Sequence, residues 1–556
     1  MTDASTDCVH RVLERFGPAT QDWFRGAFAR PTDAQGGAWE AISSGKNALV
    51  VAPTGSGKTL SAFLWAIDRV FAEKDAAPAP PRRKGVDAAG TRILYISPLK
   101  ALGVDVERNL RSPLIGIGQS ARRLGIAVPE VTVGVRSGDT TSSDRRRLVA
   151  DPPDILITTP ESLYLMLTSQ AGQTLHDVHT VIVDEVHAVA ATKRGAHLAV
   201  SLERLDALRR QSEHDVAPVQ RIGLSATVRP IDEVARFLGG AQPVEIVAPR
   251  ATKAFDLKVV VPIDDLSNPP PIPNEAFEQP DQDAQDDWFS GSSTGSGSGE
   301  ATGSVWPHIE EAIVDRILQH RSTIVFVNSR RLGERLTARL NEIYTAHTGA
   351  EPVLAKAHHG SVSKEQRAQV EDELKSGALR CVVATSSLEL GIDMGAVDLV
   401  IQVEAPPSAA SGLQRVGRAG HQVGEVSRAA LFPKHRGDVL HTAIVTERML
   451  AGQIEAIRIP QNPLDILAQQ TVAAAAIKPL DVEGWYETVR RSAPFRTLPR
   501  SAYEATLDLL AGRYPSDRFA ELRPRVIWDR DLGVITGRPG AQRIAVTSGG
   551  TIPDRG

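Results

Sequence analysis

The chain has 556 residues, 42% of them apolar and 23% charged, so it is too long for one compact core and ordinary for a globular protein in water. Its two cysteines, Cys8 and Cys381, offer neither a disulfide framework nor metal-ligand spacing, no apolar run approaches the roughly 18 residues that cross a bilayer, and the polar start "MTDASTDCVH" is unlike a signal peptide; together these exclude secreted and membrane classes and predict a cytoplasmic protein with no membrane partner. The formal charge of −4 hides an uneven spread: nine acids and no Lys or Arg fall within 264–300, which leaves the rest at +5 and keeps nucleic acid open as a partner.

In chain order, "NALVVA" (47–52), "RILYISP" (92–98), "PDILITTP" (153–160), "TVIVDE" (180–185) and "RIGLSAT" (221–227) read as buried parallel strands with helical patterns between them. The stretch 72–90 reads as a short linker, and the Pro-, Gly-, Ser- and acid-rich stretch 264–304 as a flexible insertion that buries too little surface to offset its ordering entropy. The rhythm resumes with "STIVFVNS" (322–329), "RCVVATSS" (380–387) and "VDLVIQVE" (397–404), and "DLKVVVP" (256–262) is assigned to this second sheet. "NPLDILAQQTVAAAA" and "RSAYEATLDLLAGRY" are predicted helices, the latter with Tyr503, Leu507 and Leu510 on one face. "RVIWDRDLGVITGR" is a predicted hairpin turning at Asp531–Leu532–Gly533. The expected fold class is α/β: two RecA-like P-loop domains with parallel sheets (1–248 and 249–440), then a small winged-helix-like domain (441–540). Residues 541–556 are read as the start of a truncated further domain.

Between a strand and a helix, "APTGSGKT" has the strand–loop–helix context of a phosphate loop, with Ala where the strict pattern has Gly. Pro53, Thr54, Gly55, Ser56 and Gly57 would wrap a triphosphate, Lys58 would reach its β- and γ-phosphates, and the Thr59 hydroxyl would hold Mg²⁺. "VIVDEVH" ends a strand with Asp184, a second Mg²⁺ ligand, and Glu185, which would polarise the attacking water. Either stretch alone could be a plain loop or a solvated strand end; the two together specify an ATP site.

"TGSGKT", "DEVH", "SAT" and "QRVGRAGH", in this order, resemble the motif series of superfamily 2 helicases. Finer detail in "WFRGAF", "SPLKALGVDVERNL", "RSGDT", "HHGSVSKEQR", "GRYPSDRFAEL" and "GGTIPDRG" resembles the large helicase-related, or Lhr, family, without that family's last domain. The resemblance implies ATP in a cleft between two RecA-like domains, with Gln35 on the base, Gly391 and Asp393 among the nucleotide-binding residues, Asp393 accepting from the ribose or supporting an arginine, and Gln414, Arg415 and Arg418 acting on the γ-phosphate from the second domain. Ser225, Ala226 and Thr227 would couple hydrolysis to movement. Nucleic acid would touch Lys100, Arg136, Thr140, Thr159, Ser329, Arg330, Thr385 and Ser386, with Ile527 and Trp528 stacking on bases from the wing. For these contacts ordinary loop solvation, and for Trp528 a core role, are the competing readings. His187 and the pair His358–His359 are assigned no metal. The implied function is an ATP-dependent, nucleoid-associated helicase moving 3′-to-5′ on single-stranded DNA, displacing DNA or RNA, with a role in DNA repair. An RNA helicase, an ATP-driven clamp without unwinding and a regulatory ATPase acting on protein alone are the alternatives. The chain stops at "GGTIPDRG", where the family's further domain would begin, so hydrolysis uncoupled from unwinding is the alternative outcome to displacement.

Overall fold

The computed structural model describes residues 12–53, 55–76, 90–127, 130–212, 217–249, 253–266, 269–270, 305–349, 353–389, 395–420, 425–513 and 523–551. Two compact units emerge, one of residues 1–252, 391–393 and 455–556, the other of residues 253–390 and 394–454.

The first unit contains a parallel sheet of β1 (Asn47–Val51), β2 (Ile93–Ile96), β3 (Val133–Arg136), β4 (Ile155–Thr158), β5 (Thr180–Val183), β6 (Gln220–Ser225) and β7 (Val244–Val247), ordered β3-β4-β2-β5-β6-β1-β7. β2, β4, β5 and β6 are buried along their whole length, as expected of strands covered on both faces by helices. The expected strands all form. The two that the sequence reading left out, β3 and β7, are the sheet edges, where half-exposed side chains blunt the apolar signal. The second unit holds another parallel sheet, of β8 (Phe255–Val259), β9 (Thr323–Phe326), β10 (Ala355–His358), β11 (Cys381–Ala384), β12 (Leu399–Val403) and β13 (Ser427–Phe432), ordered β10-β11-β9-β12-β13-β8. β8 lies in this sheet, as expected for "DLKVVVP", and pairs with β13.

The last part of the first unit is the winged helix. Helices Leu464–Ala475, Val482–Arg490 and Arg500–Ala511 pack with a three-stranded antiparallel sheet of β14 (Leu480–Asp481), β15 (Val526–Asp529) and β16 (Val534–Gly537). Tyr503, Leu507 and Leu510 are buried on one face, and β15 and β16 form the expected hairpin. Two expected boundaries move. A helix runs unbroken from Arg436 to Leu450, so no domain border falls at 440/441; the second unit ends at 454. Residues 541–551 do not start a separate body: helix Ala541–Thr547 buries Ala541 and Ala545, and Ala545 packs with Tyr164 and Ala473. The stretch expected to be a flexible insertion lies outside the described residues from 271 to 304, and of the expected shorter linker residues 72–76 are helical while 77–89 lie outside them.

Within this unit the winged helix and the RecA-like sheet share buried polar groups. Gln470, fully buried, donates to the His197 carbonyl (3.0 Å) and Ser201 Oγ (3.1 Å) and accepts from Arg204 (2.8 Å). Glu203 holds Arg221 (2.8 Å) on β6 and Arg491 (3.2 Å) at the end of a winged-helix helix. Glu203→Ala leaves Arg221 buried with Asp206 as its remaining acid, so a loss of about 3 kcal/mol is expected, measured by denaturant unfolding.

Candidate nucleotide site and strand-binding edges

β5, β6 and β1 are neighbours, so the loops after them share the carboxyl edge where ligands of parallel sheets bind. After β1, Gly55 (φ +81°) and Gly57 (φ +78°) take left-handed backbone that glycine adopts without penalty, and Lys58 opens helix Lys58–Ala76. A Cβ on Gly57 would stand 2.5 Å from Gln35 Nε2, so a side chain there would displace Gln35 besides taking a strained φ. Lys58 Nζ donates to the carbonyls of Ala52 (2.7 Å) and Ser225 (3.3 Å), which ties the β1 loop to the end of β6. Pro53, Ser56 and Thr59 are half-buried around this turn, with Ser56 Oγ donating to the Pro53 carbonyl (2.7 Å). Thr54 lies outside the described residues.

Gln35 is engaged more fully than a residue waiting for a base. It forms a capping box with Thr32, accepting from the Thr32 N–H at 3.0 Å, and its Nε2 lies 3.5 Å from the Gly57 carbonyl. Thr32 Oγ1 in turn donates to the Ser56 carbonyl (3.0 Å). The "PTDAQ" segment thereby braces the phosphate loop.

Asp184 follows β5 and is buried, with Tyr95 on β2 donating its hydroxyl to Oδ2. Burial, and then the charge of Glu185, raise the Asp184 pKa well above the usual carboxylate range. An anion held so unfavourably favours a cation beside it, so Asp184, with the Thr59 hydroxyl, is a residue that could hold a divalent cation. Glu185 sits at φ +42°, ψ +48°, left-handed backbone that is uncommon for a side chain of this size and typical of functional turns. His187 Nδ1 accepts from the Ala226 N–H and lies 3.3 Å from Ser225 Oγ, so one imidazole joins the acidic motif to "SAT". Thr227 is exposed beyond it. Tyr95 escaped the sequence reading; its one signal is a hydroxyl-bearing ring in an otherwise aliphatic strand.

In the second unit, Arg415 and Arg418 are both buried. Arg415, on helix Ala409–Val416, donates to Glu389 (3.1 Å), Asn328 (3.0 Å) and Gln402 (3.0 Å), and its guanidinium lies 5.4 Å from the Phe326 ring centroid. Arg418 donates to the Glu389 carbonyl (3.0 Å). Glu389, Asn328 and Gln402 were not singled out from sequence, since partners separated by tens of residues leave no local pattern. Gln414 is half-buried on the same helix, and Gly391 and Asp393 lie outside the described residues.

Apart from Ile527 and Trp528 in the wing, the residues expected to contact a strand end or follow strands at the carboxyl edges of their own sheets. Arg136 ends β3, with Thr140 in the following turn, and Thr159 follows β4. Arg136 Nη1 is buried without a hydrogen-bond partner among the described residues, a cation suited to an incoming phosphate. Thr140 and Thr159 already serve their own loops: Thr140 Oγ1 accepts from the Ser137 N–H (2.9 Å), and Thr159 caps helix Pro160–Leu167. Lys100 opens helix Lys100–Arg123. Ser329 caps helix Arg330–Thr348 after β9, Arg330 donates to Ser361 (3.0 Å), and Thr385 with the exposed Ser386 follows β11. On β15, Ile527 is 49% exposed, whereas Trp528 packs on the winged-helix core under Arg530 (3.9 Å to the ring centroid).

Three family models match the chain in succession: DEAD/DEAH box helicase over residues 32–235, helicase conserved C-terminal domain over 308–422, and the winged helix domain of large helicase-related protein over 447–556. The chain is 60% identical to "Lhr helicase/ probable uracil glycosylase" of Mycolicibacterium smegmatis, aligning 98% of its own length with 35% of that protein. It is 54% identical to "Lhr helicase/uracil glycosylase" of Escherichia coli, aligning 97% with 35%. It therefore spans about a third of the length of these curated relatives. The solved structure of Mycobacterium smegmatis helicase Lhr bound to ssDNA and AMP-PNP is similar at a TM-score of 0.83 and 61% identity, covering 98% of this chain and 63% of that one. DUF1998 helicase MrfA bound to DNA and AMPPNP shares the fold at a TM-score of 0.65 and 22% identity, covering 84% and 57%. With the phosphate loop, the paired acids and the buried arginines each on the element its motif requires, and with the family's own winged helix behind them, the chain belongs to the large helicase-related (Lhr) family of superfamily 2 helicases.

Proposed function

We propose that this chain is an ATP-dependent helicase that moves 3′-to-5′ along single-stranded DNA and displaces DNA or RNA from it. The observation that carries the reading is the meeting of Lys58, Asp184, Glu185 and Ser225 at the carboxyl ends of three adjacent parallel strands. Gly55, Gly57 and the following helix N-terminus cradle the triphosphate, and Lys58 exchanges two carbonyls for phosphate oxygens. Thr59 and Asp184 would hold Mg²⁺, which would supply positive charge against the phosphates. Glu185 orients and deprotonates the attacking water, and Arg418 stabilises charge on the γ-phosphoryl oxygens. Arg415, already committed to Glu389, Asn328 and Gln402, holds the arginine-bearing segment in shape. His187 transmits the state of the acidic motif to Ser225–Thr227.

DNA is favoured over RNA as the tracked strand by the relative of 61% identity solved with ssDNA and AMP-PNP. The test is ATPase activity with single-stranded DNA, with RNA of the same base order, and with neither. Stimulation by DNA well above RNA is expected. Equal or greater stimulation by RNA would favour the RNA-helicase reading, and indifference to both would favour an ATPase acting on protein.

A further inference from the structure

The turn that carries Arg418 is fastened from outside its own motif. Lys253, the first residue of the second unit, donates from Nζ to the Gly417 carbonyl (3.0 Å) and the Ala419 carbonyl (3.5 Å), the two peptide oxygens that flank Arg418. Ser427 Oγ also donates to the Ala419 carbonyl, at 2.6 Å. Gly420 N–H donates to the Val397 carbonyl (3.2 Å), and Gly420 itself is at φ +62°. A Cβ there would stand 2.8 Å from the Val426 carbonyl, so the chain must leave the turn through glycine. Lys253 is anchored in turn, because the next residue, Ala254, accepts from the Ser427 N–H (2.9 Å) just before β8 joins β13. Its ammonium is thus a bracket between the edge of the sheet and both sides of one arginine.

A cation placed there is costly. The pocket is partly desolvated, and the guanidinium of Arg418 repels it, while Glu425, just before β13, attracts it. Burial and Arg418 pull the Lys253 pKa down to about 8. An ammonium kept near another cation against that cost has its compensation in the two carbonyls.

We propose that Lys253 is a positioning residue for hydrolysis: it holds the carbonyls of the two residues that flank Arg418, Gly417 and Ala419, so that the guanidinium is aimed before the nucleotide is engaged. This rests on the reading of Arg418 as the residue that acts on the γ-phosphate. Misplacing a transition-state group by about 1 Å costs up to about 10²-fold in rate. Lys253→Met is therefore expected to lower kcat for ATP by about ten- to a hundredfold at saturating single-stranded DNA, while KM for ATP and the Kd for the strand stay unchanged. Lys253→Arg keeps a cation with several donors and is expected to restore most of kcat.

The pH profile separates this role from a merely structural one. Lys253 is charged below about 8 and loses its charge as pH rises through that value, so wild-type kcat is expected to fall on the alkaline side. Arginine does not titrate there, so Lys253→Arg should lack that limb.

The experiment measures kcat and KM for ATP between pH 6.5 and 9.5, as roughly chosen to bracket the transition, for wild type, Lys253→Met, Lys253→Arg and Arg418→Ala. Strand binding is followed in parallel by fluorescence anisotropy with a labelled single-stranded DNA. Loss of kcat in Lys253→Met with recovery and a flattened alkaline limb in Lys253→Arg supports the proposal. Full kcat in Lys253→Met, with Arg418→Ala impaired, overturns it and leaves the reading of Arg418 standing. Full kcat in Arg418→Ala overturns both. If Lys253→Met does not fold, the alkaline limb of Lys253→Arg decides: a limb unchanged from wild type overturns the proposal.

Discussion

Arg418→Ala is expected to lower kcat for ATP by about 10³–10⁵ while nucleotide and single-strand affinities hold, because a guanidinium on the transferring phosphoryl group is worth that much in related phosphoryl-transfer enzymes. Its neighbour three residues earlier should behave differently. Arg415 is 3% exposed and spends its donors on Glu389, Asn328 and Gln402. Arg415→Ala strands those acceptors and opens a void beside Phe326, so it should destabilise the second unit by about 3–5 kcal/mol. Denaturant unfolding and steady-state ATPase on both variants distinguish the two. If Arg418→Ala is the one that unfolds, or if Arg415→Ala is stable with normal KM and reduced kcat, the roles are reversed.

The second large effect is expected at Glu185. Glu185→Gln removes the base and keeps the shape, so turnover should fall by about 10²–10⁴ with ATP binding largely intact. The side chain leaves a left-handed residue and stands next to Asp184, whose backbone-bonded Oδ1 accepts from the Glu185 N–H at 2.9 Å. Asp184 is therefore fixed by the same peptide that aims Glu185. Equilibrium titration with a non-hydrolysable ATP analogue, beside a phosphate-release assay, checks the split. Unchanged turnover would remove Glu185 from its assigned role.

Much of this arrangement is legible in the chain itself, for physical reasons. Buried parallel strands are aliphatic runs, and both sheets could be read from them. The glycines of the phosphate loop and the paired acids after β5 are local patterns, so Gly55, Gly57, Lys58, Asp184 and Glu185 could be named from spacing. Edge strands are only half-covered, which is why "VGVR", "VEIV" and "AKAH" gave no clear signal; β13, "SRAALF", is internal but rich in alanine. What one sequence conceals is who holds whom. Tyr95 serves Asp184 across 89 positions, and Arg415 meets Asn328 across 87. Lys253 meets Gly417 across 164. None of these has a local period. The hydroxyls of Thr140 and Thr159 show the opposite limit: residue type and position point to nucleic acid, while the local hydrogen bonds, by which the first satisfies its own turn and the second caps a helix, appear only in the fold.

In the proposed function, hydrolysis at the Lys58–Asp184–Glu185 edge is turned into movement along one strand. The most direct measurement is ATP-driven displacement from duplexes that carry a single-stranded DNA tail at one end, with the tail on the 3′ side in one set and on the 5′ side in the other. Displacement is expected from the 3′-tailed DNA:DNA and RNA:DNA duplexes, lost in Glu185→Gln and without a non-hydrolysable analogue able to replace ATP. Hydrolysis stimulated by the strand but with no displacement from either tail would contradict it.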